Sequence, residues 1–246
     1  QRQMCIRDRA SGFRAQREIV QQEWRPPVIR QYDASEVARL FPDYVRDEQC
    51  LILLVHEGPS SRVDAEIHAV ESIMAELGLN PADGAAAQGW MGHRNTVPEW
   101  RDLLEQGLIA DTIEVSGTWS QIDAIYDDVV AALKTVPDCV SASAHSSHVY
   151  RAGINLYFTF ASMPEDASVM GERYLESWDR ALTSTASAGG GIAHHHGAGR
   201  LRRDYLRHDL GENGLALLRK LKQSIDPKGL LNPGNLLPPE APGAST

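Results

Sequence analysis

The sequence predicts an α+β fold in which helices pack on one face of a largely antiparallel sheet. Apolar runs of strand length occupy residues 50–57, 109–116 and 153–161, and segments with apolar residues at helical spacing lie between them. The run GINLYFTFA at 153–161 alternates side chains, as a strand with one face on a core does. This order of strands and helices is typical of an α+β layer architecture.

Composition limits the function classes. The chain has 246 residues, of which 42% are hydrophobic, so it can bury a sizeable core. The net charge of -9 argues against a nucleic-acid-binding surface, which is usually basic. The cysteines Cys5, Cys50 and Cys139 lie far apart and indicate neither a disulfide framework nor a zinc ribbon. No secretory signal is recognisable and the longest apolar run is too short for a bilayer, so we expect a cytoplasmic protein.

The first elements are a helix, a strand and a second helix. Residues 1–9 fit nothing downstream, and we interpret them as a non-native leader outside the fold. A short helix at 14–24 ends at a Pro-Pro pair, which forces an extended chain before Arg30. The apolar run 50–57 is predicted to be a central strand followed by an amphipathic helix, and 78–89 a loop.

The later elements place two candidate site residues. Further helices are predicted at 90–106 (with a break at Pro98), 119–134, 166–188 and 211–225, and a further strand at 109–116. In the strand 153–161, alternation places Tyr157 on the face opposite to the apolar side chains. Taken alone, Tyr157 fits an amphipathic core residue equally well, and Arg101 fits a surface ion pair. The tail, 240–246, is predicted to be disordered.

The stretch GGGIAHHHGAGRLRR at 189–203 is the strongest signal of a functional site. Its glycines permit unusual backbone conformations and close approach of a ligand to the main chain. His194, His195 and His196 are adjacent imidazoles, which suit proton handling or hydrogen bonding to an anionic or carbonyl substrate. We therefore interpret this stretch as the floor of an active site.

The histidines have two other interpretations, a metal site and an expression tag. In an extended chain, His194 and His196 point one way and His195 the other, so one metal ion could not easily bind all three. No HExxH motif or carboxylate-rich partner motif supports a metal, and we assign none. An expression tag is dismissed because the run is internal and lies within specific sequence.

Seven segments carry a resemblance to a known family. They are VIRQYD (28–33), HEG (56–58), WRDLL (100–104), DTIEVSGTW (111–119), AGINLYFTFA (152–161), HHHGAGRLR (194–202) and DPKGLLNPGNLL (226–237). With them the chain resembles the C-terminal half of FAD-linked oxidases of the vanillyl-alcohol-oxidase type, and within these the alkyldihydroxyacetonephosphate synthases. The last segment is shared by many FAD-linked oxidases, whereas the HHHGxG run is more specific.

The resemblance implies an FAD enzyme whose N-terminal, glycine-rich flavin domain is missing from this chain. GGG at 189–191 leads into histidines and not into a helix, so it is no dinucleotide fingerprint. Residues 10–49 then become an entry linker from that domain and 50–188 a substrate-binding cap. Residues 189–239 become the histidine loop and a C-terminal segment that returns to the flavin domain. The WRD and NPGN segments depart from the synthase pattern and leave the substrate open.

The resemblance also implies roles for individual residues. Tyr157 matches an active-site acid/base, and the three histidines match a triplet that orients substrate oxygens and relays protons. Arg101 matches the residue that holds a substrate phosphate, and a guanidinium fork suits that role. Arg30 matches an arginine needed for activity. Asn232 and Asn235 are assigned to the neighbourhood of the isoalloxazine.

Three functions follow from this reading. The first is exchange of the acyl group of acyl-dihydroxyacetone phosphate for an alkyl group, through a flavin adduct and without net redox change. The second is an FAD-linked oxidase or dehydrogenase of a hydroxy acid or alcohol. The third is a non-enzymatic, histidine-rich metal-binding module. The expected ligand is a small phosphorylated or carboxylated molecule, and peripheral membrane contact and a homodimer are compatible with the first function.

Overall fold

A seven-stranded antiparallel sheet forms the centre of the molecule. The computed structural model describes residues 2–6, 8–45, 47–82 and 84–238. The strands are β1 (Arg2–Ile6), β2 (Val28–Tyr32), β3 (Cys50–Val55), β4 (Asn80–Ala82), β5 (Ile109–Thr118), β6 (Cys139–Ser146) and β7 (Gly153–Ser162). They are arranged in the order β4-β1-β3-β2-β6-β7-β5, and each neighbouring pair is antiparallel. The predicted α+β class is confirmed.

Eight α-helices connect and cover these strands in the described part of the chain. They are α1 (Arg9–Gln21), α2 (Ala34–Leu40), α3 (Ser60–Glu76), α4 (Ala85–His93), α5 (Trp100–Glu105), α6 (Ile122–Lys134), α7 (Met170–Ser187) and α8 (Leu206–Ile225). Asp33 caps α2 by accepting the N–H of Glu36, and Gly211, with φ 65°, interrupts α8. None of the described helices has the length and apolar character needed to span a bilayer.

The alternation predicted for β7 organises the main core. Ile154, Leu156, Phe158 and Phe160 are each at most 2% exposed. They pack with β5 and with the apolar stripes of α6 and α7. The helices α1 and α3 cover β2 and β3 on the same side of the sheet, around Ile52. This face therefore carries two apolar clusters, and the buried polar side chains of Gln16, Gln31 and Ser146 hydrogen-bond one another where β2 meets β6.

The sequence suggests helices on one face only, but the structure has helices on both faces. α2 and α4 lie on the other side, where Tyr32, Phe41 and Leu53 pack with two alanines of α4. They cover the sheet at β3 and β2, and α2 also contacts β6. The polar face therefore has an apolar wall at its β3 and β2 side.

Three sequence-based boundaries are corrected by the structure. Residues 1–9 were placed outside the fold, but β1 pairs along its length with β3 and also with β4. Residues 10–49 were interpreted as an entry linker, but β2 lies between β3 and β6 within the sheet. The predicted loop 78–89 contains β4 and the first turn of α4, because its alanines favour a helix. The predicted disordered tail 240–246 lies outside the described residues.

A close approach between β5 and β7 gives the first prediction. A Cβ atom on Gly153 would lie 2.0 Å from the backbone oxygen of Gly117, so Gly153→Ala must displace a strand. We expect a loss of about 1–3 kcal/mol in the free energy of unfolding, the typical cost of overpacking. The measurement is a urea denaturation curve.

The matched control for this prediction is Gly171→Ala in α7. A Cβ there meets nothing within 4 Å, so the substitution should leave stability unchanged or raise it slightly. Equal denaturation midpoints for the two variants would contradict the close approach of the strands.

Candidate active site

The glycines at the start of the histidine loop let the chain cross the edge of the sheet. The loop leaves α7 and pairs with the edge strand β5, where Ser116 N–H donates to Gly191 O (3.0 Å) and Gly191 N–H to Ser116 O (2.8 Å). A Cβ on Gly190 would lie 2.8 Å from Ile125 Cδ1 and 3.0 Å from Ser116 O. These glycines therefore allow close packing of the loop on β5 and α6. The approach of a ligand to the main chain here stays a prediction.

A buried carboxylate, Glu114, holds the loop after it has crossed. Glu114 lies in β5 directly opposite Tyr157 of β7, so both side chains project from the polar face. Its side chain is 0% exposed. Its oxygens accept the Asn155 side-chain amide at 2.7 Å and the backbone N–H groups of His195 and His196 at 3.1 and 3.3 Å. The histidine loop is thus folded around one carboxylate.

The three imidazoles converge on the same carboxylate. The Nδ1 atoms of His194, His195 and His196 lie 3.2, 2.7 and 3.8 Å from the oxygens of Glu114. The expected alternation of these side chains is therefore wrong. Two consecutive backbone N–H groups point at one carboxylate, so the chain is bent here and the extended geometry on which alternation depends is absent.

Hydrogen bonds tie the phenol of Tyr157 to this cluster. Its oxygen lies 3.0 Å from His195 Nε2 and 3.2 Å from His196 Nε2. Burial, followed by the negative charge of Glu114, raises the pKa of Tyr157 to about 12. Burial is also the main reason that the pKa of His196 is lowered. A protonated phenol beside imidazoles can donate a proton at neutral pH and recover it from them.

Burial alone would raise the pKa of Glu114. The Asn155 amide and the backbone N–H of His195 outweigh that effect, with the charges of nearby histidines adding to them, so the pKa of Glu114 is lowered. The carboxylate is therefore ionised at neutral pH, where the phenol is protonated. A fixed negative charge under the loop favours positive charge on an imidazole that takes a proton from Tyr157.

A second buried carboxylate supports Tyr157 from its other side. His145 stacks on the Tyr157 ring with centroids 5.0 Å apart and planes 7° from parallel. The His145 Nδ1 atom lies 3.2 Å from Glu36 Oε2, within ion-pair range, and Thr159 donates to Glu36 Oε1 at 2.7 Å. Burial would raise the pKa of Glu36, but the His145 interaction outweighs it and lowers that pKa to about 2. Tyr157 is therefore held between two histidine–carboxylate pairs.

Arg202 fastens the far end of the loop to the sheet. It is 6% exposed, and it donates to the backbone oxygens of Ile192 (3.0 Å) and Glu114 (3.2 Å). Its guanidinium lies 4.7 Å above the Trp178 ring, and burial lowers its pKa. It thereby joins the histidine loop to β5 by donating to a backbone carbonyl of each.

Of the residues singled out in the sequence, the structure brings Tyr157 and the histidine triplet together. Arg30 lies near them on β2, and its charge acts on the pKa of Tyr157 as a lowering influence weaker than burial. Arg101 is exposed on α5, and the described residues give it no hydrogen bond or ion pair with the cluster. Its neighbour Trp100 contacts Tyr174 of α7, on the apolar side of the sheet. The phosphate-binding role of Arg101 stays a prediction.

The C-terminal segment reaches the histidine loop, although its asparagines do not contact the imidazoles. Leu236 N–H donates to Gly199 O at 3.1 Å. Asn232 and Asn235 lie in this segment, Asn232 exposed and Asn235 half-buried. Their predicted place beside the isoalloxazine stays a prediction.

Sequence reasoning missed Glu114, Glu36, His145 and Arg202. Glu114 carried a usable signal, because it is a carboxylate that stands directly between two apolar residues, Ile113 and Val115, of a predicted strand. Glu36 and Arg202 carried none, since each stands among other charged residues in the sequence. Their burial is decided by the elements that pack on them.

The cluster also has the composition of a metal site. Glu114, His148, His194 and His195 place one potential ligand atom each within 4.8 Å of one another. This geometry keeps the metal-binding alternative open. The carboxylate already accepts three N–H groups, which suits a hydrogen-bonded anchor.

The structure thus places a phenol and three imidazoles together on the polar face of an antiparallel sheet. The sequence profile of the family described as FAD linked oxidases, C-terminal domain, matches residues 7–236, and the chain belongs to this family. FAD is the cofactor of the family. The resemblance to FAD-linked oxidases is thus confirmed.

The chain is also similar in sequence or in fold to individual FAD-linked oxidoreductases and alkyldihydroxyacetonephosphate synthases. The Uncharacterized FAD-linked oxidoreductase YgcU of Escherichia coli O157:H7 is 30% identical over 253 residues, covering 96% of this chain and 51% of its own length. The alkyldihydroxyacetonephosphate synthase of Dictyostelium discoideum is 26% identical over 226 residues, 87% of this chain and 37% of its own. A solved alkyldihydroxyacetonephosphate synthase shares the fold, with a TM-score of 0.67 at 23% identity over 94% of this chain and 43% of its own. The chain spans about half the length of these relatives or less.

The second prediction tests Glu114 as the anchor of the cluster. Glu114→Gln keeps the shape but removes the charge that contributes to the raised pKa of Tyr157. We expect the pKa of Tyr157 to fall from about 12 towards its ordinary value near ~10. We also expect a loss of about 1–3 kcal/mol in unfolding free energy, since N–H donors lose an acceptor.

The measurement is the ultraviolet difference spectrum of tyrosinate, taken for each protein against its own Tyr157→Phe derivative. Glu105→Gln is the control, because Glu105 is an exposed carboxylate on α5. If Glu114→Gln and Glu105→Gln left the titration equally unchanged, Glu114 would not be the anchor.

Proposed function

We propose that the protein exchanges the acyl group of an acyl-dihydroxyacetone phosphate for an alkyl group, releasing a fatty acid and taking up a fatty alcohol, with no net redox change. The observation that carries this proposal is the hydrogen-bonded set of Tyr157, His195 and His196 over Glu114. It is a proton-transfer device, and exchange chemistry needs protons moved without electrons lost. The similarity to alkyldihydroxyacetonephosphate synthases supports the choice of substrate.

The residues of the site fit a flavin. The side chains of His195 and His196 are 44% and 36% exposed, so their ring nitrogens remain accessible beside the Tyr157 oxygen. Hydrogen-bonding groups of this kind suit the neighbourhood of a heteroaromatic cofactor. When bound, FAD supplies the reactive ring chemistry that amino-acid side chains lack.

The protein's own contribution is to position the substrate and move protons. Tyr157, with its pKa raised to about 12, is a proton donor at neutral pH. Having given its proton to the substrate, it can recover one from His195 or His196, each within 3.2 Å. Glu114 compensates the positive charge that an imidazole carries while it holds the proton.

The alternative function, oxidation of a hydroxy acid or alcohol, also has support. The same phenol and imidazoles can accept the proton of a substrate hydroxyl, and one relative carries the name oxidoreductase. Electron balance separates the two functions. Oxidation removes two electrons from the substrate and requires an acceptor, whereas exchange requires none.

We also propose that an FAD-binding domain precedes this chain in the full-length protein, because the family is FAD-linked and the chain covers 43% of a solved relative. A cytoplasmic location, peripheral membrane contact and a homodimer remain predictions of the composition and of the resemblance.

The third prediction concerns turnover. Tyr157→Phe keeps the ring stacked on His145 and removes only the hydroxyl group. We expect stability to change little and kcat of the flavin-loaded protein to fall by about 10²–10⁴-fold, the usual effect of losing a general acid or base. Tyr174→Phe is the control. It removes a hydroxyl of α7 that donates to Asp111 of β5, outside the cluster. Similar kcat values for the two variants would exclude Tyr157 as the proton donor.

The fourth prediction separates exchange from oxidation in one anaerobic cuvette. Acyl-dihydroxyacetone phosphate added to the flavin-loaded protein should reduce the absorbance of oxidised flavin. A fatty alcohol added afterwards should restore it with no electron acceptor present. Bleaching by a simple hydroxy acid, reversed only by oxygen or a dye, would establish the oxidase instead.

A further inference from the structure

A cleft on the polar face borders the acid–base cluster. It encloses about 450 Å³ between α2, α4 and the sheet, within the usual range of roughly 300–1,000 Å³ for small-molecule sites. His145 forms part of its wall and is also the residue that stacks on Tyr157. A ligand in the cleft therefore lies one aromatic ring away from the phenol.

The floor of the cleft is aromatic. Tyr32 and Phe41 are 2% and 8% exposed, and their rings meet edge to face with centroids 5.0 Å apart. Trp90 of α4 lies opposite them and is half-buried. Leu40, at the end of α2, is 45% exposed and adds apolar surface. Such a lining favours an apolar ligand group.

Two arginines add positive charge to the cleft of a protein whose net charge is -9. Their guanidinium carbons lie 5.4 Å (Arg30) and 5.6 Å (Arg94) from the centre of a Trp90 ring. Within the described part of the chain, no carboxylate lies in ion-pair range of either arginine, although Asp43 also lines the cleft. The Nε atom of Arg30 is buried and has no hydrogen-bond partner. A buried donor without an acceptor points to an anion that completes the site.

We propose that this cleft binds an amphipathic oxyanion, a phosphate or carboxylate on an apolar chain. Arg30 holds the oxyanion, Arg94 adds a second positive charge, and Phe41 and Trp90 contact the apolar part. Arg30, and not Arg101, is then the arginine that selects an anionic head group. The proposal rests on the proposed function only in taking this ligand to be the substrate.

Calorimetry on the flavin-loaded protein tests the cleft without any turnover. The probes are octyl phosphate and octanoate, compared with inorganic phosphate and with octanol. Either amphipathic probe should bind at least ~10-fold more tightly than inorganic phosphate or octanol, because only it engages both the arginine and the aromatic floor. The tighter of the two identifies the head group. Equal affinity for all four compounds would overturn the proposal.

Variants then assign the binding to residues. Arg30→Gln should weaken binding of the tighter probe by ~10-fold or more, and Arg30→Lys should also weaken it because the planar fork is lost. Leu40→Glu leaves Arg30 intact and places a negative charge at an exposed position of the cleft, so it should weaken binding even if Arg30→Gln misfolds. Arg62→Gln, an exposed arginine of α3, is the control and should bind as the wild type does.

Two outcomes would overturn the assignment: wild-type affinity in both Arg30→Gln and Leu40→Glu, or loss of binding in Arg101→Gln alone. The result is independent of the proposed function. Binding that depends on Arg30 in a protein without exchange activity would sustain the cleft and refute the exchange. Exchange activity in a protein whose binding does not depend on Arg30 would support the exchange and refute the cleft.

Discussion

The burial of one carboxylate determines the shape of this site. An ionised Glu114 inside the protein is costly unless hydrogen bonds replace its water. Nearby donors of the right geometry are the Asn155 amide and two consecutive N–H groups of the histidine loop. Satisfying the carboxylate therefore bends the loop, and the bend turns three imidazoles towards Tyr157. The arrangement of the imidazoles around Tyr157 is therefore a consequence of satisfying one buried charge with hydrogen bonds from the protein.

The two faces of β5 and β7 carry different kinds of side chain, apolar residues on one face and polar residues on the other. The alternation in β5 and β7 buries Ile113 and Phe158 against α6 and α7, while Glu114 and Tyr157 project from the opposite side. The backbone ladder between β5 and β7 sets the separation of the two strands and places Glu114 opposite Tyr157.

A histidine–carboxylate pair lies on each side of Tyr157. Glu114 acts on it through the histidine loop, and Glu36 acts through the stacked His145. Both carboxylates have lowered pKa values, so both are ionised at neutral pH. Together with burial, the nearby Glu114 charge disfavours the tyrosinate and keeps the phenol protonated. The positive charge of Arg30 opposes this, with a smaller effect than burial or the charge of Glu114.

The sequence by itself determined the fold class and the strand that carries Tyr157, and it predicted the histidine triplet as part of a site. These follow from local periodicity and from a residue pattern too unusual for a core, both of which are visible along the chain. Only the tertiary structure decided that the imidazoles converge, that Glu114 lies beneath them, and that β1 and β2 belong to the sheet. A loop bends to satisfy a buried charge that comes from a strand about 80 positions earlier. No local pattern records such a contact, because the burial that makes the charge costly exists only after folding.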